Sequence, residues 1–167
     1  PKLIFTTPSH QQPLGITMSL QRRLALLKYA HEKASWIIED DYDSEFRYRG
    51  RPLPALSALD KVGRVLYVGT FSKSLFPSVR IGYVVVPEIL MDAFAKMRNI
   101  FGQTSSAITE EALSNFMDDG AFAEHIRKMR RLYRDRRDIL LNALQENCSD
   151  ILIPVSYTHL RAHETRT

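Results

Sequence analysis

Two apolar runs, VLYV at 65–68 and YVVV at 83–86, flank a short polar segment and constrain the fold more than any other feature. Strands that are apolar at every position, rather than at alternate positions, are typical of sheets covered on both faces. The runs therefore predict buried strands at 64–70 and 81–86. Because open α/β sheets bind ligands at the carboxyl ends of their strands, we expect the segment after the first of these strands to reach a ligand.

Further strands alternate with helices along the rest of the chain. Short apolar runs predict strands at 2–6 and 35–41, whereas prolines and a glycine predict irregular structure over most of 42–60. The periodicity predicts four helices, at about 17–33, 87–99, 104–117 and 122–146. This alternation is typical of an α/β domain with a largely parallel sheet.

The predicted helices carry caps and apolar stripes. Thr17 or Ser19 is expected to cap the first helix. Thr104 or Ser105 is expected to cap the third. The stripe predicted to be buried on the first helix comprises Leu20, Leu24, Leu27 and Ala30. The stripe of the last helix comprises Phe122, Ile126, Met129, Tyr133, Leu140 and Leu144.

Lys73 lies in the segment GTFSKSLFPSVRIG at 69–82, between the two valine-rich runs. Thr70 and Ser72 precede it, and Arg80 follows it. A desolvated lysine amine can act as a nucleophile and form a Schiff base, while hydroxyls, backbone amides and an arginine can hold a phosphate. This combination suggests pyridoxal phosphate, which carries an aldehyde and a phosphate. The alternative interpretation is a surface lysine in a polar loop.

Acidic residues close the strand predicted at 35–41. The alternation of side chains along a strand places Asp40 and Tyr42 on one face and Asp41 on the other. Asp40 could pair with the pyridine nitrogen of the cofactor and keep it protonated, and Tyr42 could donate to the ring hydroxyl. The alternatives are a solvated acidic turn and a divalent-metal site. We predict no metal, because no second cluster of ligands accompanies these acids.

Four segments, which occur in order along residues 5–148, resemble those of a known family: TPSHQQPLG, IIEDDYDSEFRY, YVGTFSKSLFPSVRIGY and HIRKMRRLYRDRRDIL. The chain resembles the aspartate aminotransferase-like large domain of fold type I pyridoxal-phosphate proteins. Within them it is most similar to the MocR group of GntR-type transcriptional regulators. The resemblance implies a three-layer α/β sandwich with a mostly parallel sheet, of which residues 1–154 would be the central part, cut at both ends. The helix at about 122–146 would begin the long interdomain helix.

The resemblance also implies roles for individual residues. Lys73 matches the Schiff-base lysine, and Asp40 and Tyr42 match the residues at the ring nitrogen and ring hydroxyl. The implied cofactor-binding set is Lys73, Asp40, Tyr42, Thr70, Ser72, Arg80, His10 and Gln12. The loop SHQQPLG departs from the NPTG pattern of ordinary aminotransferases, because Gln12 replaces the asparagine beside the ring hydroxyl and Leu14 replaces the threonine.

The activity implied by the resemblance is transfer of an amino group between an amino acid and a 2-oxo acid through Lys73. In the first interpretation, the parent protein is a homodimeric MocR-type regulator that binds DNA through a winged-helix domain outside this chain. In the alternative, it is a free-standing class I/II aminotransferase, similar to the aminoadipate enzymes, without DNA binding.

A basic run in the last helix requires a separate interpretation. It comprises Arg127, Lys128, Arg130, Arg131, Arg134, Arg136 and Arg137. Such a run could contact DNA phosphates. The regular apolar stripe favours instead a solvated basic face on a helix packed between two domains.

The composition and the last residues of the chain limit the class of protein and the residues that belong to the fold. The 167 residues carry a net charge of +4, include one cysteine and contain no apolar run near the roughly 20 residues that span a bilayer. These features favour a globular cytoplasmic protein with no disulfide within the chain and no membrane contact. The run VSYTHLRAHET at 155–165 has no helical or strand period and resembles a translated sequencing adaptor. We therefore expect 155–167 to be an artefact and exclude it.

Overall fold

The structure is a computed structural model of the chain and describes residues 1–46, 53–101 and 106–148. The expectations for the adaptor-like run at 155–167 and for the caps Thr104 and Ser105 lie outside the described residues.

In the described part of the chain, four strands form one sheet in the order in which they occur: β1 (Leu3–Thr6), β2 (Trp36–Asp41), β3 (Val65–Thr70) and β4 (Gly82–Val85). The first three are parallel, and β4 runs antiparallel to β3, with Gly82 opposite Thr70. Parallel neighbours need a crossover connection, whereas the segment 71–81 simply returns the chain along β3. The mixed, largely parallel sheet confirms the predicted α/β class.

Five helices accompany the sheet within the described residues: α1 (Leu20–Glu32), α2 (Leu56–Leu59), α3 (Met91–Phe101), α4 (Ala107–Asp118) and α5 (Ala121–Asn147). Short 3-10 turns occupy Ser44–Phe46, Pro77–Val79 and Glu88–Leu90. Ser19 caps α1, as predicted, by accepting a hydrogen bond from the amide of Arg22 at 3.4 Å. The helix expected to open at Pro87 begins with a 3-10 turn, and α4 begins a few residues later than predicted. Within the described ranges, no helix is both long and apolar enough to cross a membrane.

The buried face of α1 differs from the predicted stripe. Leu20 and Leu24 are 42% and 49% exposed, whereas Arg23 is 1% exposed and Ala30 is fully buried. The buried side of α1 therefore follows Arg23, the half-buried Leu26 and Leu27, and Ala30. Ala30 packs with Ile37, Leu56 and Val65, which joins α1 and α2 to one face of β2 and β3.

Arg23 can lie in this core because its guanidinium group is satisfied there. It donates to the backbone carbonyls of Pro8 at 2.8 Å, Pro54 at 3.0 Å and Met18 at 3.1 Å. Its Nη1 atom lies 3.9 Å from the Glu39 carboxylate, which is also fully buried. Buried charges are tolerated when they are paired and hydrogen-bonded in this way.

Glu39 links β2 to the start of α2. Its two carboxylate oxygens accept the amides of Leu56 and Ser57, each at 2.8 Å. Burial raises the pKa of Glu39, while the two amide hydrogen bonds and the charge of Arg23 act in the opposite direction. The pair of Arg23 and Glu39 therefore connects α1, the start of α2, β2 and the loop that begins at Pro8.

Two apolar stretches are less buried than predicted. Tyr83, Val84 and Val85 are 38%, 43% and 57% exposed, because β4 is an edge strand of the sheet within the described residues. On α5, Ile126 is buried and most of the predicted stripe is half-buried, but Leu140 is 58% exposed.

We expect the substitution Glu39→Gln to destabilise the fold, because it leaves Arg23 buried without its counter-charge and removes one acceptor from α2. The expected loss in the free energy of unfolding is about 3 kcal/mol, measured by urea denaturation. The matched control is Glu32→Gln, which breaks the exposed pair of Lys28 and Glu32. That pair should contribute about 0.5 kcal/mol or less. Equal losses for the two variants would contradict a structural role for the buried pair.

Candidate functional site

A cavity of about 910 Å³ opens at the carboxyl ends of β1 and β2. Its lining residues come from the end of β1, the loop that follows it, the end of β2 and the segment after β3: Phe5, Thr6, Thr7, His10, Gln11, Gln12, Pro13, Asp40, Tyr42 and Lys73. The structure thus brings together five of the sequence-predicted site residues, which are His10, Gln12, Asp40, Tyr42 and Lys73.

Strand β2 aims Asp40 into this cavity through its alternation of side chains. Asp40 is half-buried and lines the cavity together with Tyr42, whereas Asp41 is 6% exposed and accepts the Tyr67 hydroxyl at 2.7 Å. Burial raises the pKa of Asp40, and the negative charge of Asp41 raises it further. Asp40 is therefore a more basic carboxylate than an ordinary surface aspartate, which suits it to pair with a protonated nitrogen.

The turn after β3 presents Lys73, which is exposed, to the same cavity. The amide of Phe71 donates to the carbonyl of Ile81 at 3.0 Å, and the amide of Leu75 donates to the carbonyl of Phe71 at 2.8 Å. These bonds close a turn around Lys73. Beneath it, Phe71 and Leu75 pack on an apolar cluster of Val79, Ile81 and Leu113.

Helix α5 supports the Lys73 turn from behind. The His125 ring contacts the carbonyl of Ser74 through Nε2 at 2.9 Å, and Ser74 is 1% exposed. Sequence reasoning missed His125, because its partner lies 51 residues away in the chain and no local pattern marks it.

Thr70, Ser72 and Arg80 flank Lys73 but are not among the residues that line the cavity. The Thr70 hydroxyl donates to the carbonyl of Ile81 at 3.4 Å and accepts the Ser72 amide at 3.2 Å. Arg80 is exposed and adopts a left-handed conformation with φ of 50°. The phosphate-binding role of these three residues stays a prediction.

The Tyr42 hydroxyl and the His10 side chain are both engaged at the mouth of the cavity. Tyr42 Oη donates to the carbonyl of His10 at 2.8 Å, and the two rings are stacked with centroids 6.0 Å apart. His10 Nδ1 lies 2.6 Å from Asp43 Oδ2. Burial raises the pKa of Asp43, while the hydrogen bond and charge of His10 and the charge of Lys73 oppose this rise.

A tyrosine cluster lies behind β2, on the face opposite Asp40. Tyr67 hydrogen-bonds to Asp41 and to Tyr83, and its pKa is raised by burial and by the bond to Asp41. A Cβ atom at Gly69 would lie 2.3 Å from the Tyr83 ring, so the glycine makes room for that ring. Sequence reasoning missed this cluster, because both tyrosines read as ordinary members of apolar strands.

Among the described residues, the acids of this region are not arranged as a metal centre. Within the part of the chain that the structure describes, no group of three or more His, Cys, Asp or Glu residues is arranged to hold a metal ion. The alternation of Asp40 and Asp41 between opposite faces separates the carboxylates that such a site would need.

Comparison with known proteins identifies clear relatives. The model of the protein family "Aminotransferase class I and II" matches residues 1–164. The probable rhizopine catabolism regulatory protein MocR of Rhizobium meliloti is 49% identical over 91% of this chain. The uncharacterized HTH-type transcriptional regulator YdeL of Bacillus subtilis is 47% identical over 90% of this chain. The matches cover 31% and 32% of these two relatives, so the chain spans about a third of their length.

A solved structure shows the same fold. The kynurenine aminotransferase of Pyrococcus horikoshii, determined in complex with PMP, superposes with a TM-score of 0.81 at 36% identity. The match covers 87% of this chain and 36% of that one. This similarity confirms the predicted fold class, the α/β sandwich of the aspartate aminotransferase-like large domain.

The ionised form of Asp40 should lower the free energy of unfolding at neutral pH when no cofactor is added. The folded state raises its pKa above the ordinary value of 3.8, so the folded protein keeps this proton to a higher pH than the unfolded chain does. Stability is therefore lost as the pH rises through this window. We expect Asp40→Asn to equal the wild type in the free energy of unfolding at about pH 3 and to exceed it at about pH 7.

The measurement is urea denaturation across this pH range, with Asp92→Asn on the exposed surface of α3 as the control. The control should follow the wild type throughout. A wild type that gains stability relative to Asp40→Asn as the pH rises would contradict the raised pKa.

Proposed function

This chain belongs to the class I and II aminotransferase family, and we propose that its cavity binds pyridoxal 5'-phosphate through Lys73. The observation that carries the proposal is the convergence of Lys73 and Asp40 on one cavity from the ends of neighbouring strands. An amine for the aldehyde and a carboxylate for the ring nitrogen are the two groups that this cofactor most needs.

The donor chemistry of the cavity supports this assignment. Its volume lies within the roughly 300–1,000 Å³ typical of small-molecule sites. The raised pKa of Asp40, caused first by burial, strengthens its attraction for a proton on a pyridine nitrogen. Thr70, Ser72 and Arg80 supply hydroxyls and a cation close to Lys73 in the chain, where they would hold a phosphate.

The proposed activity is amino-group transfer between an amino acid and a 2-oxo acid. When bound, the cofactor supplies an electron sink for the electron pair that remains when the α-proton of the substrate leaves. Lys73, once displaced by the substrate amine, would carry that proton as a general base and acid. Asp40 would keep the ring nitrogen protonated, and Tyr42 would donate to the ring oxygen.

We further propose that the chain is part of a MocR/GntR-type transcriptional regulator. The regulators MocR and YdeL share 49% and 47% identity with it, more than the 36% of the Pyrococcus aminotransferase. In this proposal residues 1–154 form the central part of the cofactor-binding domain, and DNA is bound by another domain of the same protein. The amino acid or 2-oxo acid serves as substrate or effector, and the protein is a cytoplasmic homodimer.

A free-standing aminotransferase is the second candidate. The specific observation in its favour is that Lys73, Asp40 and Tyr42 are all present on one cavity in a fold shared with a kynurenine aminotransferase. Replacement of the usual asparagine and threonine by Gln12 and Leu14 favours the regulator, in which fast turnover is not required.

Substitution of Lys73 tests the cofactor assignment. We expect the intact wild-type protein to develop a visible absorbance band on addition of pyridoxal phosphate, because the lysine amine condenses with the aldehyde. Lys73→Ala should lose this band, and Lys61→Ala, which changes an exposed lysine outside the cavity, should keep it. A band that survives in Lys73→Ala would overturn the assignment.

A binding and turnover comparison separates the two candidate functions. The regulator is expected to retard the DNA upstream of its own gene in a gel-shift assay, with an affinity that changes when cofactor and amine are added. The free-standing enzyme is expected to show no specific retardation and to convert amino acids at rates typical of metabolic enzymes, about 1–1,000 per second. Rapid turnover without DNA binding would refute the regulator.

A further inference from the structure

Residues 8–18, here called the pocket loop, form one wall of the cavity and are held at two places. At its base, Arg23 donates to the carbonyls of Pro8 and Met18. At its tip, Gln11 donates to the carbonyl of Ile16 at 2.9 Å, which turns the chain back on itself. Between these points, His10 joins the pocket loop to the residues that follow β2.

His10 makes this junction through two different atoms. Its carbonyl accepts the Tyr42 hydroxyl, and its ring nitrogen Nδ1 contacts the Asp43 carboxylate at 2.6 Å. A phenol has one proton to donate, so Tyr42 cannot serve the His10 carbonyl and a cofactor oxygen together. If Tyr42 turns to the cofactor, the contact between His10 and Asp43 remains to hold the pocket loop.

Asp43 has features that stability alone does not explain. Its second carboxylate oxygen, Oδ1, is buried without a hydrogen-bond partner among the described residues, which is a cost to the folded state. Asp41 Oδ1 and Glu45 Oε2 are in the same condition, and costs of this kind are tolerated at functional sites. The charge of Lys73 also acts on Asp43, so the carboxylate lies within electrostatic reach of the cavity.

We propose that Asp43 is a positioning residue: by holding the His10 ring it keeps the pocket loop against the cofactor and leaves the Tyr42 hydroxyl able to turn toward it. This inference rests on the proposed binding of pyridoxal phosphate. Asp43 itself does not touch the cofactor in this scheme and acts through His10. It sets the affinity for the cofactor rather than the chemistry at Lys73.

The first test is a double-mutant cycle in the intact protein, read out as the dissociation constant for pyridoxal phosphate. His10→Ala and Asp43→Ala should each weaken binding roughly tenfold, as expected for the loss of one charge-assisted hydrogen bond. The double variant should be no more than about threefold weaker than either single variant, because both substitutions remove the same contact. Additive losses, or wild-type affinity in either folded single variant, would overturn the proposal.

A conservative variant separates positioning from simple loss of packing. The side-chain amide of His10→Asn can donate from nearly the place of Nδ1, so its affinity should return to within about threefold of the wild type. His31→Asn, on the exposed surface of α1, is the matched control and should bind as the wild type does. Equal weakening in His10→Asn and His10→Ala would count against the role of the contact.

Hydrogen–deuterium exchange in the cofactor-free protein gives a reading that does not depend on binding. The Asp43→Ala and His10→Ala variants should exchange faster over residues 8–18 and no faster over α1. Unchanged exchange in the pocket loop would overturn the inference. A wild-type protein that binds no pyridoxal phosphate at Lys73 would refute the proposed function. A wild-type protein that binds it, with variants of equal affinity, would refute only the positioning role of Asp43.

Discussion

The buried ion pair of Arg23 and Glu39 is the contact on which the rest of the site depends. The pair lies 3.9 Å apart in a part of the core that is closed to solvent. Arg23 fixes both ends of the pocket loop through the carbonyls of Pro8 and Met18, and Glu39 fixes the start of α2. Because Glu39 directly precedes Asp40 on β2, the same strand that anchors the core also aims the candidate catalytic carboxylate.

The side chains of β2 alternate between the two faces of the sheet, so its structural residues and its candidate functional residues lie on opposite faces. Glu39 and Asp41 face the packed side, where Arg23 pairs with Glu39 and the Tyr67 hydroxyl donates to Asp41. Asp40 and Tyr42 face the cavity, where burial raises the pKa of each. A carboxylate and a phenol with raised pKa values favour their protonated forms more than exposed groups do, which is useful where a proton on a ring nitrogen or ring oxygen must be shared.

Much of this arrangement could be predicted from the sequence, because it depends on local rules. The period of a strand is enough to place Asp40 and Asp41 on opposite faces, and residue type alone narrows the cap of α1 to Thr17 or Ser19, of which the structure shows Ser19. Arg23 was missed, because a hydrophobic pattern treats arginine as exposed and its carbonyl acceptors come from separate parts of the chain. The contact of His10 with Asp43 spans 33 residues, and only the folded chain reveals it. The antiparallel direction of β4 likewise could not be predicted from its run of valines.

The most direct test of the central claim is to trap the cofactor on its lysine and locate it. The intact protein is incubated with pyridoxal phosphate, reduced with borohydride and digested with trypsin, and the modified peptide is sequenced by mass spectrometry. The account predicts the label on Lys73 within the peptide Val65–Arg80, which stays uncleaved at the modified lysine. A label confined to another lysine, or no label above that of a denatured control, would contradict it.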